Sequence, residues 1–226
     1  MAGETYYTLV SSLPRLPYFE TAEYLPLSRK QLDQRFSMLG LEHSVQLRFA
    51  EGLVKWQRQP ITRTSEQVIR DYKRLLPHLT SPALREFVEY RMSQRTALVA
   101  LRRRRRGLGP PAAEEAWGVG PWVRRIPSAW DRSDLGLGQI FPWLEEAGKR
   151  LEAGDALELE RLLMDAVWTR LGRIAEQRSP FGFEPVIAFV FRWDILERWL
   201  SYDAEAGRTR FQNLISEVIH EQKQIF

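Results

Sequence analysis

Few side chains here could do chemistry, and their spacing narrows the options further. Cysteine is absent, which removes a thiolate nucleophile, a zinc–thiolate site and a disulfide framework. The three histidines, His43, His78 and His220, lie far apart and form no HxxxH or HxH pair. Metal ligation and triad chemistry both need such groups to converge, and this spacing does not bring them together. The phosphate-loop pattern GxxxxGKS/T, the dinucleotide pattern GxGxxG and the nucleophile-elbow pattern GxSxG do not occur. Gly118-Val119-Gly120 and Gly136-Leu137-Gly138 are isolated GxG pieces away from any strand–helix junction, and read as turns. The acidic pairs Glu114-Glu115 and Glu145-Glu146 are adjacent, so they do not share a helix face and read as solvated surface. The expectation is a chain with no catalytic residue, no cofactor and no bound metal.

What remains is cationic. Arg102, Arg103, Arg104, Arg105 and Arg106 form an unbroken run. One or two arginines at a helix C-terminus are accounted for by the helix dipole. Five in succession point in every direction around the axis, so some are expected to face solvent or an anionic partner. Nucleic acid, anionic lipid headgroups and an acidic protein surface all fit the charge. Nucleic acid fits less well, because the run lacks the interleaved aromatics of a single-strand platform. Arg192 is a further candidate contact, set in a very apolar helix. Its structural reading is a snorkelling side chain with a paired head. Trp117 and Trp122, in a Gly/Pro/Trp-rich segment, complete the candidate partner-binding set. The whole chain carries a formal charge of +4 over 226 residues, a mild excess concentrated in the arginine run.

The elements that must position these residues are mostly helical by pattern. The organising stretch is Phe183–Tyr202, FEPVIAFVFRWDILERWLSY. Pro185 suits a first helical turn, and the apolar residues that follow cover nearly the whole circumference, as in the middle of a bundle. Asp194 and Arg198, acid first and one turn apart, are expected to pair. Ser28-x-x-Gln31 and Thr64-x-x-Gln67 read as capping boxes, Ser81-Pro82 as an N-cap with proline in the first turn, and Asp155-x-x-Glu158 as another cap. Stripes at helical spacing follow: Val45, Phe49, Leu53 and Trp56; Val68, Tyr72, Leu75 and Leu76; Leu84 to Leu101; Leu159 to Ile174; and Phe211 to Ile219. Tyr6 to Pro14, aromatic and β-branched, is expected to be a short extended segment. Residues 108–139 have no sustained period and are expected to be a connector, functional or mobile, between an N-terminal helical half at 1–107 and a C-terminal half at 140–226. No apolar run reaches the ~20 residues needed to span a bilayer. The N-terminus lacks a signal-peptide pattern, so a cytoplasmic location is expected.

Four stretches together resemble one family: Tyr6 to Pro14 (YYTLVSSLP), Arg95 to Arg102 (RTALVALR), Asp134-Leu135-Gly136-Leu137 with Phe141-Pro142-Trp143-Leu144, and Ile195 to Trp199 (ILERW). In this order and spacing they resemble bacterial proteins of domain-of-unknown-function family 2764, which are encoded among the genes of V/A-type ATPases. That family is similar to the C-type component of those machines, named d in the eukaryotic pump. Thr96 stands where the family pattern has Asn, and Arg192-Trp193 where it has Lys-Leu. The resemblance spans nearly the whole chain, as a single C-type domain over 1–226. It implies an all-α, multi-helix, funnel-like bundle without catalysis of its own. It further implies a central-stalk rotor component, peripheral on the inner face of the cell membrane, linking D/F-type shaft proteins to the membrane c-ring. A basic helical adaptor that uses Arg102–Arg106 on nucleic acid or anionic lipid is the competing expectation.

Overall fold

In this computed structural model, which describes residues 5–55 and 63–202, the chain is all-α, with no strand among the described residues. The helices are α1 (Tyr7–Ser12), α2 (Arg29–Phe36), α3 (Leu41–Val54), α4 (Ser65–Leu75), α5 (Pro82–Arg105), α6 (Arg125–Ser128), α7 (Leu144–Ala153), α8 (Ala156–Ala175) and α9 (183–202). Trp56 and the stripe from Phe211 to Ile219 lie outside the described residues.

The start signals read from sequence act as expected. Ser28 and Thr64 each close a capping box with the Gln three residues on. Ser81 accepts from the Leu84 N–H with Pro82 in the first turn, and Asp155 accepts from the Glu158 N–H. Each such cap satisfies a backbone donor that a helix end leaves open, worth about 1 kcal/mol. Gly107, at φ 70°, lets the chain turn out of α5.

Three local expectations need correction. Tyr6 to Pro14 is not extended: Tyr7–Ser12 is a helix. Tyr6, Leu9, Val10 and Leu13 fall at i, i+3, i+4 and i+7, and all pack against the main core. That periodicity outweighs the β-propensity of the tyrosines and valine, because burial of a face stabilises more than intrinsic preference. The second correction is the inward face of α3. Its buried residues are Gln46, Leu47, Ala50, Leu53 and Val54, whereas Val45 and Phe49 are only half-buried. Gln46 can sit inside because its amide is satisfied: it donates to Thr80 Oγ1 at 2.7 Å and accepts from the Ser81 N–H at 2.9 Å. Third, Asp194 pairs with Lys55 Nζ at 2.8 Å and Arg198 with Glu160 at 2.9 Å, so each charge on α9 ties that helix to a different neighbour.

The buried residues also group differently from two halves split at a connector. The larger cluster joins α1, α3, α4, the first part of α5, the later part of α8 and α9. The second joins Ala97, Leu98 and Leu101 of α5 to Leu159 and Leu163 of α8, to α7, and to Trp117, Ile126, Trp130, Leu135 and Leu137. The long helices α5 and α8 thus run through both clusters, and residues 108–139 send Trp117, Val119, Ile126, Trp130, Leu135 and Leu137 into the core. Thr96 Oγ1 accepts from the Val119 N–H at 2.9 Å, with the Val119 carbonyl 2.8 Å away as its acceptor. Gly118 makes that contact achievable, since a Cβ there would lie 2.5 Å from the Thr96 methyl. Asp134 accepts from the N–H groups of Gly136 and Gly138 at 2.9 and 3.2 Å, closing the turn that was expected at this GxG piece. The Arg132 guanidinium and these backbone donors hold its carboxyl below the usual carboxylate range.

Helix α9 is the centre of the larger cluster. Val186, Ile187, Val190 and Leu196 are fully buried in it, and Trp193, equally buried, packs with Leu27, Leu32 and Phe189 in a smaller third cluster. Trp193 Nε1 donates to the Leu27 carbonyl at 2.8 Å, so its polar edge is satisfied inside.

Candidate functional site: an arginine-lined cavity

Arg91, Arg95, Leu98 and Arg102 recur at i, i+4, i+7 and i+11 of α5, which places them along one face. That face fronts a cavity of about 500 Å³, walled also by the end of α3, by Arg63, and by α8 and α9. Among the described residues, six cations and two carboxylates line it. The carboxylates are engaged: Glu160 by Arg198 and Asp194 by Lys55, which also reaches Glu51 at 2.5 Å. Arg63 is ion-paired with Asp71, outside the lining, and Arg91 donates to Gln94 Oε1. The guanidinium groups of Arg95 and Arg102 have no hydrogen-bond or ion-pair partner among the described residues. Arg102 is exposed and Arg95 half-buried, so the lining runs from solvent into the protein.

The electrostatic cost of this arrangement is visible in two groups. Burial pushes the Arg91 guanidinium down to about 10, only partly offset by Glu160. Arg95 is lowered by burial first and then by the charges of Arg63 and Arg102. Cations gathered without matching carboxylates repel one another and lose hydration. Beside them the wall is apolar, with Leu98, Met164, Val167, Phe191 and Ile195. Asp194, also on the wall, is pushed up to about 6 by burial, against the pull of Lys55.

The residues expected from sequence to contact partners are dispersed. Within the arginine run, Arg103 bonds to the Gly109 carbonyl at 2.8 Å and pairs with Glu115. Arg104 donates to the carbonyls of Trp130 at 3.3 Å and Arg132 at 2.7 Å. These two pin residues 108–139 to α5, because a planar guanidinium can satisfy several carbonyls at once. Arg105 and Arg106 are exposed and lie outside the cavity lining, leaving Arg102 as the member of the run that joins it. Trp117 is 5% exposed and packs in the second core. Trp122 is half-buried against that core, with the Arg125 guanidinium 5.8 Å over its ring. Arg192 donates to the Trp168 carbonyl at 3.0 and 3.3 Å and lies 4.9 Å over the Trp168 ring, so its head is spent inside the chain. Gly172 leaves room for it: a Cβ there would meet the guanidinium at 2.6 Å.

Sequence reasoning missed Arg63, Arg91 and Arg95. The i, i+4, i+11 spacing of the α5 arginines was the available signal; the convergence of Arg63 and α9 on that face had none. Among the described residues no group of three or more His, Asp or Glu side chains is arranged to hold a metal. No helix among them is long and apolar enough to cross a membrane. No family profile, curated protein or solved structure matches this chain.

Proposed function

We propose that this chain is a non-catalytic central-stalk component of a bacterial V/A-type rotary ATPase, a socket between the D/F-type shaft and the membrane c-ring. The observation that carries the reading is the order and spacing of four sequence stretches along the chain, which resemble domain-of-unknown-function family 2764, itself similar to the C-type components of these machines. The all-helical architecture is in keeping with it. So is the fact that two of the four stretches, Arg95–Arg102 and Ile195–Trp199, contribute Arg95, Leu98, Arg102, Ile195 and Arg198 to one cavity. A torque-transmitting part must resist deformation, and α5, at 24 residues and roughly 36 Å, runs through both buried clusters as a continuous strut. In this reading the protein works on the cytoplasmic face of the membrane and is peripheral to it.

The test is assembly. The tagged chain, co-expressed with the shaft and ring proteins encoded beside its own gene, is expected to recover the shaft protein in a stoichiometric complex that survives gel filtration. Failure to recover any ATPase component, or a gene neighbourhood without them, overturns the reading.

A further inference from the structure

The cationic face of α5 sits in surroundings like those of a ligand site. At about 500 Å³ the cavity falls within the range of small-molecule sites. Its wall combines the cations Arg63, Arg95 and Arg102 with the apolar side chains of Leu98, Phe191 and Ile195. Two of the guanidinium groups, those of Arg95 and Arg102, have no protein partner among the described residues, while the carboxylates nearby are occupied by Arg198 and Lys55. An unpaired, half-buried guanidinium is costly to keep, and an anion seated against it would recover that cost. Guanidinium groups match phosphate in particular, because their N–H fork meets two oxygens at once.

We propose that this cavity is a binding site for a phosphate-bearing anion, with the Arg95 and Arg102 guanidinium groups engaging the phosphate and Leu98, Phe191 and Ile195 flanking the organic portion. The chemistry is shared by a soluble organic phosphate and an anionic lipid headgroup, and the experiment separates the two. The proposal stands apart from the socket reading: phosphate binding needs no ATPase partner, and assembly needs no phosphate.

The full chain is titrated calorimetrically with pyrophosphate, with ADP, and with vesicles of phosphatidylglycerol in phosphatidylcholine, all at one ionic strength near ~0.15 M so that screening is constant. Three variants accompany it: Arg95→Gln, Arg102→Gln, and Arg106→Gln as an exposed member of the same run outside the cavity. Circular dichroism checks that each is folded; Arg102 is exposed, so its variant retains the core. Saturable one-site binding of pyrophosphate or ADP is expected. It should weaken at least about tenfold in Arg95→Gln and in Arg102→Gln, the loss of one charge-assisted contact, and remain unchanged in Arg106→Gln. The same variant pattern seen with vesicles alone assigns the site to a lipid headgroup. No saturable binding of any of the three probes overturns the proposal, as does an equal loss in all three variants or no loss in the two cavity variants.

Discussion

Asp194 shows how a single residue can tie the electrostatics of the cavity to stability. It lies on the cavity wall in α9, with Lys55 at 2.8 Å, and burial holds its carboxyl up at about 6. An ordinary aspartate titrates near ~4, so the native state binds this proton more tightly than the unfolded chain does. The stability it confers is therefore full below about pH 4 and is lost as the pH rises through about 6. Asparagine carries no such proton. Asp194→Asn should consequently gain on the wild type as the pH is raised from about 4 to about 7, by on the order of 2–3 kcal/mol. Urea midpoints measured for both proteins at each pH read the difference. A stability difference that does not shift in favour of Asp194→Asn between these pH values would refute the buried, raised carboxyl.

At the scale of elements, α9 and α5 divide the work. Helix α9 supplies the centre of the larger cluster, and α5 supplies the cationic face and the link to the second cluster. Two tryptophans on α9 look alike in sequence but differ in burial. Trp193 is fully enclosed and hydrogen-bonded to Leu27. Trp199 is half-buried against the larger cluster, with its ring 5.1 Å from Phe19. Trp193→Ala should cost ~3–5 kcal/mol, through a cavity plus an orphaned carbonyl at Leu27. Trp199→Ala should cost clearly less, since part of its surface already meets solvent. Chemical denaturation of the two variants decides the order, and a larger loss at Trp199 would mean that the helix is rotated from the orientation described.

For the whole molecule, the consequential feature is that residues 108–139 are held by α5 rather than strung between two halves. Thr96, Arg103 and Arg104 reach this segment through its backbone, and Trp117, Ile126, Trp130, Leu135 and Leu137 fill the core beneath. Thr96→Val keeps the shape but removes the hydroxyl, leaving the buried Val119 N–H and carbonyl without partners. A loss of about 1–3 kcal/mol is expected. It should be local before it is global, so trypsin should cut at the exposed Arg124 and Arg125 faster in the variant than in the wild type, under conditions where both retain full helicity. Equal cleavage rates would show that the hydroxyl does not anchor the segment.

Much of this architecture is legible in the residues alone because its causes are local. Caps at Ser28, Thr64, Ser81 and Asp155, the turn at Gly136-Leu137-Gly138 and the apolar run after Pro185 each depend on neighbours a few positions away. The all-α class and the absence of the familiar catalytic motifs follow from the same short-range patterns. Tertiary structure decided which faces turn inward and which charges meet. The inward face of α3 depended on Gln46 finding Thr80 and Ser81, and Asp194 paired with Lys55, distant in sequence. Arg103, Arg104 and Arg192 were absorbed by backbone carbonyls, while Arg95 was left facing a cavity. Coulomb and hydrogen-bond energies depend on distances through space, and those distances exist only once α3, α5, α8 and α9 have packed.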